Sequence, residues 1–361
     1  MSLRIGVVGA GLWARRAHLP AFTHLPGVEV RAIADPDLAR AEELARDFAV
    51  PNAVRDHGAL LRLGVDAVAV VAPDDVHHAV ATAALEAGLP VLCEKPLART
   101  VPEAADLAER AARRGVPTKL GFVFRYSPAL RRLRELVLEG YVGRMHSLVI
   151  YSQNAQFMDP AAPFHWKMER ARTGGGVFVE YGSHSLDLAR WIGGEVLEIC
   201  ANARTVVGKR LDAASGAPRA VDVDDVCSWL ASLGGEVEGV FHTSWASLSQ
   251  PWGDLAVFGD GGALVWRRRD DTWPFAELLG ASPADPILRP LPVPPRLTEG
   301  LEWATTWREC FAGSLAQQFV AEIGGAPAEG PTFADGHRVQ LALDALARSL
   351  VERRWVPVPA K

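Results

Sequence analysis

The sequence lacks any hydrophobic run long enough to cross a bilayer, since no stretch reaches the roughly 18 apolar residues that a spanning helix needs. The first residues carry one charge and a short apolar run that leads straight into glycines. They lack the small-residue cleavage site of a signal peptide and are typical of a first β-strand. We therefore expect no membrane partner.

Cysteine pairs and surplus positive charge are also missing. The four cysteines lie far apart with no Cys-x-x-Cys pair, which favours buried thiols in a reduced, cytoplasmic protein. The formal net charge is −5, which gives no reason to expect a nucleic-acid partner. Hydrophobic residues make up 49% of the 361 residues, which is typical of a globular chain long enough for two domains.

What is present is an alternation of strand and helix patterns over roughly the first third of the chain. Short apolar runs predict strands at Arg4–Val8, Val28–Ala34, Ala67–Val71, Pro90–Cys93 and Thr118–Phe122. Helical patterns lie between them at Pro36–Phe48, Val76–Ala87 and Val101–Arg114. The first of these helices has proline at its first position, and the last has a Thr100-x-x-Glu103 capping box. The alternation predicts an α/β fold that begins with a doubly wound parallel Rossmann sheet.

After residue 122 the pattern changes to strand-like runs with fewer helices. Helices are predicted at Pro128–Leu138, Gly176–Ile192 and Phe333–Glu352. Strands are predicted at Met145–Gln153, Val196–Val206, Val226–Ser232, Val237–Ser244, Asp254–Phe258 and Ala263–Trp266. The six prolines of Pro283–Pro295 predict an extended surface segment. We predict that residues 1–122 form the first domain. A second α/β domain with an open, mostly antiparallel sheet follows over 123–361, and its last helix can pack back on the first domain.

A glycine-rich turn follows the first predicted strand and opens a helix. Its sequence, Gly9-Ala10-Gly11-Leu12-Trp13-Ala14, fits the dinucleotide-binding pattern G-x-G-x-x-G/A. The first glycine allows the tight turn, the second lets the backbone approach a pyrophosphate, and the helix N-terminus attracts the phosphates. We therefore expect Gly9, Gly11, Leu12 and Trp13 to bind a dinucleotide. A glycine turn in a similar sheet without a dinucleotide is the alternative.

Asp35 ends the second predicted strand, about 20 residues past the glycine loop. A carboxylate at this place can accept hydrogen bonds from the ribose hydroxyls and would repel a 2′-phosphate. The following Pro36-Asp37 supplies no cation to hold such a phosphate. The sequence thus favours NAD over NADP.

Glu94-Lys95-Pro96 follows the strand that ends at Cys93, at the sheet edge that faces the ligand crevice. A lysine beside a positively charged nicotinamide and a partly buried substrate is disfavoured as an ammonium, which makes it able to exchange a proton. From its position alone, Lys95 could equally be an exposed surface lysine with no role in the reaction.

Together these pieces resemble the Gfo/Idh/MocA family, which includes glucose–fructose oxidoreductase and inositol dehydrogenase. The resemblance covers essentially the whole chain, and Glu94-Lys95-Pro96 with Gly182-x-His184-x-x-Asp187 is its most specific part. It implies that residues 1–122 are an NAD(P)-binding Rossmann domain and that residues 123–361 are a substrate-binding and oligomerisation α/β domain. The outer sheet face of that second domain often forms the oligomer contact, hence a homodimer or homotetramer. It also implies that Glu94 and Lys95 line the nicotinamide end, and that Pro73 and His77 lie along the cofactor.

Glu180, His184 and Asp187 are spaced four and three apart, so they would share one face of a predicted helix. The resemblance implies that His184 is the acid/base histidine, with Lys95 and Glu180 beside it as catalytic residues. The family's polyol dehydrogenases usually have aspartate at Glu180, and its nucleotide-sugar ketoreductases tend to have tyrosine at His184. The alternatives are a structural histidine, and an Asp187 that caps a helix or forms an ion pair. Three side chains on one helix rarely hold a metal alone, so we expect none.

Arg125 and Tyr126 open the second domain and are predicted, with His184, to contact the substrate, since a guanidinium suits a carboxylate, a phosphate or sugar hydroxyls. The resemblance implies the same for Trp166, which lies in a loop that family members use near the substrate. For Arg125 an interdomain ion pair is equally compatible with the sequence. We predict an NAD(P)-dependent dehydrogenase or reductase that moves a hydride between a sugar, a polyol or a related cyclic carbinol and nicotinamide, with Lys95 and His184 in proton transfer. The alternatives are an NAD-retaining glycosidase or lyase, and a catalytically silent binding protein.

Overall fold

The computed structural model describes residues 2–248, 252–268 and 276–360. The chain divides into two compact units, which consist of residues 1–126 with 298–337 and of residues 127–297 with 338–361. Residues 298–337, which the sequence-based division places in the second domain, therefore group with the first unit.

The first unit contains a six-stranded parallel sheet. Its strands are β1 (Leu3–Val8), β2 (Val28–Ala34), β3 (Ala53–Val54), β4 (Ala67–Val70), β5 (Val91–Cys93) and β6 (Thr118–Leu120). They lie in the order β3-β2-β1-β4-β5-β6. The helices between them are α1 (Leu19–Thr23), α2 (Leu38–Asp47), α3 (His57–Leu61), α4 (Asp74–Glu86) and α5 (Val101–Arg114). Every residue of β4 is buried, as expected for a strand covered on both faces. The predicted doubly wound sheet is confirmed.

Helix caps explain where two of these helices begin. Thr100 accepts a hydrogen bond from the backbone N–H of Glu103, and α5 ends at Gly115 in the left-handed conformation, both as predicted. The predicted start of α2 at Pro36 is wrong, because Asp37 is the residue whose side chain accepts the N–H of Arg40. Proline therefore precedes the cap and does not occupy the first turn.

The second unit contains a nine-stranded sheet. Its helices are α6 (Pro128–Leu138), α7 (Arg170–Thr173), α8 (Val177–Glu180) and α9 (Gly182–Gly193). Its strands are β7 (Met145–Gln153), β8 (Val196–Arg204), β9 (Lys209–Leu211), β10 (Pro218–Ala220), β11 (Val226–Leu233), β12 (Val237–Ser244), β13 (Trp252–Gly259), β14 (Gly262–Arg268), β15 (Glu277–Ser282), β16 (Asp285–Pro290) and β17 (Val356–Pro357). The order is β16-β15-β14-β13-β7-β12-β11-β8-β17, with β9 and β10 as a separate hairpin. Neighbours are antiparallel except β7 and β12, so the mostly antiparallel sheet is confirmed.

One prediction for this unit is wrong in part. The segment Gly176–Ile192 is two helices, α8 and α9, separated at Tyr181, and the second one starts at Gly182, a weak helix former. The proline-rich segment 283–295 is extended and exposed over the strand β16, in agreement with the predicted extended surface segment. All residues of β16 are exposed, which fits an edge strand, the place where a sheet tolerates proline.

Two helices complete the chain, α10 (Trp307–Ile323) and α11 (Phe333–Glu352). The bounds of α11 agree with the prediction, whereas α10 was not predicted. Helix α10 has buried residues on most of its surface, so its sequence lacks the polar face that marks an amphipathic helix. At its end the Glu322 carboxylate pairs with the Nζ of Lys119 in β6 at 2.5 Å, with both side chains buried. Among the described residues, no helix combines the length and the apolar character that a membrane span requires.

Candidate active site

The glycine loop lies at the carboxyl end of β1 and is shaped by close backbone contact. Gly9 has φ of +110°, and a Cβ there would lie 2.1 Å from the carbonyl oxygen of Val71. Only glycine fits this position. At Gly11, by contrast, a Cβ would meet no atom of the described residues within 4 Å. Helical backbone begins at Leu12 and continues through Ala14–His18 into α1. The loop therefore leaves an open backbone face in front of a helix N-terminus, which fits the pyrophosphate of a dinucleotide.

Asp35, at the end of β2, is bonded to this loop. The backbone N–H of Ala10 donates to its Oδ2 at 2.8 Å, and the N–H of Asp37 donates to its Oδ1 at 2.9 Å. Each carboxylate oxygen can accept a second hydrogen bond. The residue thus fixes the loop and still has the acceptors that ribose hydroxyls require.

Glu94 joins the glycine loop to the end of β5. Its Oε1 accepts the indole N–H of Trp13 at 2.8 Å and lies 2.7 Å from Nε2 of the buried His18. A Cβ at Gly121 would lie 2.6 Å from this carboxylate, so glycine makes room for it. Burial alone would raise the pKa of Glu94, but the bonds from His18 and Trp13 and the charge of Lys95 lower it. The carboxylate is therefore charged beside Lys95.

Lys95, Pro73 and His77 lie at the same carboxyl edge of the sheet. Pro73 precedes α4, and the buried ring of His77 lies 2.8 Å from two backbone carbonyl oxygens, those of Ala72 and Pro96. Burial opposes a charged ring, but the Cys93 sulfur, the Asp74 carboxylate and the Pro96 carbonyl raise the pKa of His77 to about 10. His77 thus holds together the loops that follow β4 and β5, and direct contact with a cofactor stays a prediction.

Arg125 and Tyr126 are both buried in a short helical turn after β6. The guanidinium of Arg125 pairs with Asp335 at 3.3 Å, and both residues belong to the first unit. The ion-pair interpretation of Arg125 is therefore supported, although within one unit. Substrate contact by either residue stays a prediction.

In the second unit, the carboxylate of Glu180 pairs with Nζ of Lys167 at 2.5 Å. Lys167 and Arg172 also lie over the ring of Trp166, at 5.6 and 5.5 Å from its centroid. Two predicted residues, Glu180 and Trp166, are thus brought together by a lysine between them. The sequence offered no spacing rule for this pair, because Trp166 and Lys167 lie in one short helical turn and Glu180 lies in another.

His184 and Asp187 lie in α9, which begins at Gly182, directly after the break at Tyr181 that separates this helix from Glu180. The predicted single helix carrying all three side chains is therefore wrong, although His184 and Asp187 still share a face. His184 is half-buried, whereas Asp187 is buried. Among the described residues there is no group of three or more His, Cys, Asp or Glu side chains that could hold a metal ion.

Comparison with known proteins adds the family context. Residues 3–122 match a family model described as an oxidoreductase family with an NAD-binding Rossmann fold, and residues 130–265 match the GFO/IDH/MocA C-terminal domain. The chain is 28% identical to levoglucosan dehydrogenase of Pseudarthrobacter phenanthrenivorans, covering 99% of this chain and 98% of that protein. It is 31% identical to the rhizopine catabolism protein MocA of Rhizobium meliloti, over 64% of this chain and 71% of that protein.

A solved structure is similar over the whole chain. Levoglucosan dehydrogenase in complex with NADH superimposes with a TM-score of 0.91 at 25% identity, covering 99% of this chain and 100% of that one. That structure therefore has the same succession of a Rossmann sheet and a larger mixed sheet.

Proposed function

This chain belongs to the GFO/IDH/MocA family of NAD-binding oxidoreductases, and on that premise we propose that Lys95 and His184 carry the proton steps of hydride transfer between a cyclic sugar or polyol and nicotinamide. The protein is a dehydrogenase with NAD as its cofactor, as its relatives are. The residues that act and the substrate class are our proposal.

One observation carries the proposal. The open backbone at Gly11 and the side chain of Lys95 follow β1 and β5 of one parallel sheet, and these strands are separated by β4 alone. In open α/β sheets ligands bind at this carboxyl edge. Gly9, Gly11 and Asp35 would hold the adenosine and pyrophosphate end, which leaves Lys95 for the reacting end.

The chemistry divides among a few groups. When bound, NAD⁺ accepts the hydride that leaves the carbinol carbon. The Lys95 ammonium donates a hydrogen bond to the substrate oxygen, and His184 takes the hydroxyl proton as the carbonyl forms. In reduction the same groups return the proton. Buried and charged, Glu94 orients the loop from which Lys95 extends.

The substrate class is inferred from relatives and from the second unit. Two relatives that match nearly the whole chain are a levoglucosan dehydrogenase and an inositol 2-dehydrogenase. Glu180 and Lys167 offer a carboxylate and an ammonium 2.5 Å apart, which together can accept from and donate to adjacent hydroxyls of a sugar ring. We propose an uncharged cyclic carbohydrate with neighbouring hydroxyls.

The test is a spectrophotometric assay with the purified protein. NAD⁺ is mixed with a panel of anhydrosugars, inositols and glycosides, and the absorbance of the reduced cofactor is followed; the reverse direction uses NADH and ketosugars. We expect reduction of NAD⁺ with at least one panel member and much weaker activity with NADP⁺. Absence of signal in both directions with both cofactors would contradict the proposal. Glycoside cleavage without net cofactor reduction would point to the NAD-retaining alternative.

We also propose that the outer face of the second-unit sheet joins two copies of the chain. Val240 pairs with Leu230 on one side and Val149 on the other, so that these three side chains form a row across β11, β12 and β7. Val240 and Leu230 are each 38% exposed. Burial of such a row against its symmetric copy removes apolar surface from water.

Val240→Arg is expected to convert the wild-type oligomer to a smaller species, because the row would then bring like charges together in the copy-to-copy contact. Light scattering after size-exclusion chromatography measures the mass. Leu211→Arg is the control, since Leu211 is 53% exposed in the separate hairpin. A monomeric wild type, or an unchanged mass for Val240→Arg, would refute this interface.

A further inference from the structure

The turn that leads into α8 is held by one residue of a distant loop. The Oδ1 of Asp224 accepts the backbone N–H of Gly176 at 2.8 Å, and its Oδ2 accepts that of Phe178 at 3.0 Å. Its backbone carbonyl accepts the N–H of Val177, also at 3.0 Å. Three successive amides at the start of α8 are therefore bonded to Asp224.

The contact between Asp224 and the turn at Gly175–Gly176 leaves no room for larger side chains. Asp224 is 6% exposed, and a Cβ at Gly176 would lie 2.1 Å from its carbonyl oxygen. Glycine is thus required at position 176 by this approach. Gly175 is similarly enclosed, since a Cβ there would lie 2.5 Å from the ring of Phe178.

The aspartates on either side of Asp224 bond to other segments of the second unit. Asp222 accepts the backbone N–H of Arg170, at the start of α7, at 2.8 Å. Asp225 accepts the N–H groups of Val206 and Val207 through Oδ2, and the indole N–H of Trp245 through Oδ1. We call residues 222–225 the aspartate clamp. Its three carboxylates bind backbone from different parts of the second unit, and among these three Asp224 is the one that binds the start of α8.

Helix α8 needs such support because it is a single turn. It contains four residues and ends at Glu180. Its N-cap residue, Gly176, has no side chain to cap it, and the C-cap residue, Tyr181, bonds to it through its backbone N–H. A one-turn helix is not stable alone, since nucleation fixes several residues for one hydrogen bond. The direction of the Glu180 side chain, and its 2.5 Å pair with Lys167, therefore depend on how the first amides of α8 are held.

We propose that Asp224 is a positioning residue for the reaction, which acts by fixing the turn that carries Glu180. The proposal rests on the function proposed above, in which Glu180 faces the substrate. Asp224 itself touches neither substrate nor cofactor. Its loss should therefore affect turnover of the carbohydrate and leave cofactor binding, which belongs to the first unit, unchanged.

The clamp also has a defined pH dependence. Burial raises the pKa of Asp224 to about 6, against the amide bonds from Phe178 and Gly176 and the charge of Arg170. The charged or titratable groups that interact with it are Arg170 of α7 and the buried thiol of Cys227 in β11, while Asp222 and Asp225 flank it in its own segment and bond to other groups. A protonated carboxyl places an O–H where an amide N–H points, so one bond to α8 is lost as the pH falls through about 6.

The effect on overall stability has the opposite sign. A carboxyl whose pKa is raised above its ordinary 3.8 binds its proton more tightly in the folded state than in the unfolded one. This group therefore stabilises the fold more below pH 3.8 than above pH 6, and the contribution is lost as the pH rises through that window. Loosening of α8 near pH 6 is thus local and is not the onset of unfolding.

The experiment compares Asp224→Asn with Asp225→Asn, a neighbour that is also buried but bonds Val206 and Val207. Amide hydrogen exchange, kcat for the best carbohydrate and Kd for NADH are measured for each. For Asp224→Asn we expect faster exchange at residues 176–178, a fall in kcat of about 100-fold, and a Kd for NADH within about twofold of wild type. For Asp225→Asn we expect faster exchange at residues 206–207 and a much smaller fall in kcat.

Equal losses of kcat in both variants, or unchanged exchange at 176–178 in Asp224→Asn, would overturn the proposal. If the wild type oxidises no carbohydrate, the proposed function fails while the exchange data still test whether Asp224 holds α8. If Asp224→Asn does not fold, hydrogen exchange of the wild-type protein at two pH values tests the proposal instead. Protection of 176–178 relative to 206–207 should then fall several-fold between about pH 7.5 and about pH 5, and a constant ratio refutes the clamp.

Discussion

Replacing Lys95 with methionine is expected to lower turnover by about 1,000-fold or more while leaving the affinity for NADH nearly unchanged. Methionine keeps an unbranched apolar side chain in this half-buried position and removes only the ammonium. The ammonium is the group proposed to polarise the substrate oxygen as hydride moves. Loss of one such charge-stabilising donor costs about 100- to 1,000-fold, and loss of the associated proton transfer adds to it.

Steady-state kinetics with the best carbohydrate and fluorescence titration with NADH measure the two quantities. Lys209→Met provides the control, because Lys209 is an exposed lysine in the β9–β10 hairpin of the second unit. Turnover within tenfold of wild type in Lys95→Met would remove this lysine from the mechanism. A parallel loss of NADH affinity would instead mean that Lys95 holds the cofactor.

Elements whose signals are local were predictable from the sequence. The bounds of α5 and α11 agree with the predicted ones, because caps, glycine stops and helical spacing all lie within the segment itself. The same is true of the glycine loop, where a strand, a Gly-x-Gly turn and a helix follow each other directly. Positions such as Asp35 and Lys95 were found because they end predicted strands of a parallel sheet.

Contacts between distant parts of the sequence were not predictable in this way. The bond from Trp13 to Glu94 joins residues 81 positions apart, and no spacing rule connects an indole to a carboxylate. Asp224 lies 48 residues beyond Gly176 and bonds to backbone groups, which have no sequence pattern of their own. The break at Tyr181 was missed for a different reason. Helical spacing alone does not reveal a break within a run of residues that are all compatible with a helix.

Gly9→Ala is expected to weaken NADH binding by about 100-fold or more and to lower the melting temperature. At φ of +110° an L-residue is strained by about 1–3 kcal/mol, and the added methyl would also lie 2.1 Å from the Val71 carbonyl oxygen. The end of β1 must then move away from the end of β4. The amides that would face the pyrophosphate move with it.

Gly11→Ala separates binding from folding at the same loop. Its added methyl meets no described atom within 4 Å, so the free energy of unfolding should change by less than about 0.5 kcal/mol. The methyl would nevertheless stand on the backbone face that a pyrophosphate has to approach, and we expect NADH affinity to fall about 10- to 100-fold. Calorimetric melting and fluorescence titration of both variants give the comparison. If Gly11→Ala binds NADH like the wild type, the open face of this loop is not where the pyrophosphate lies.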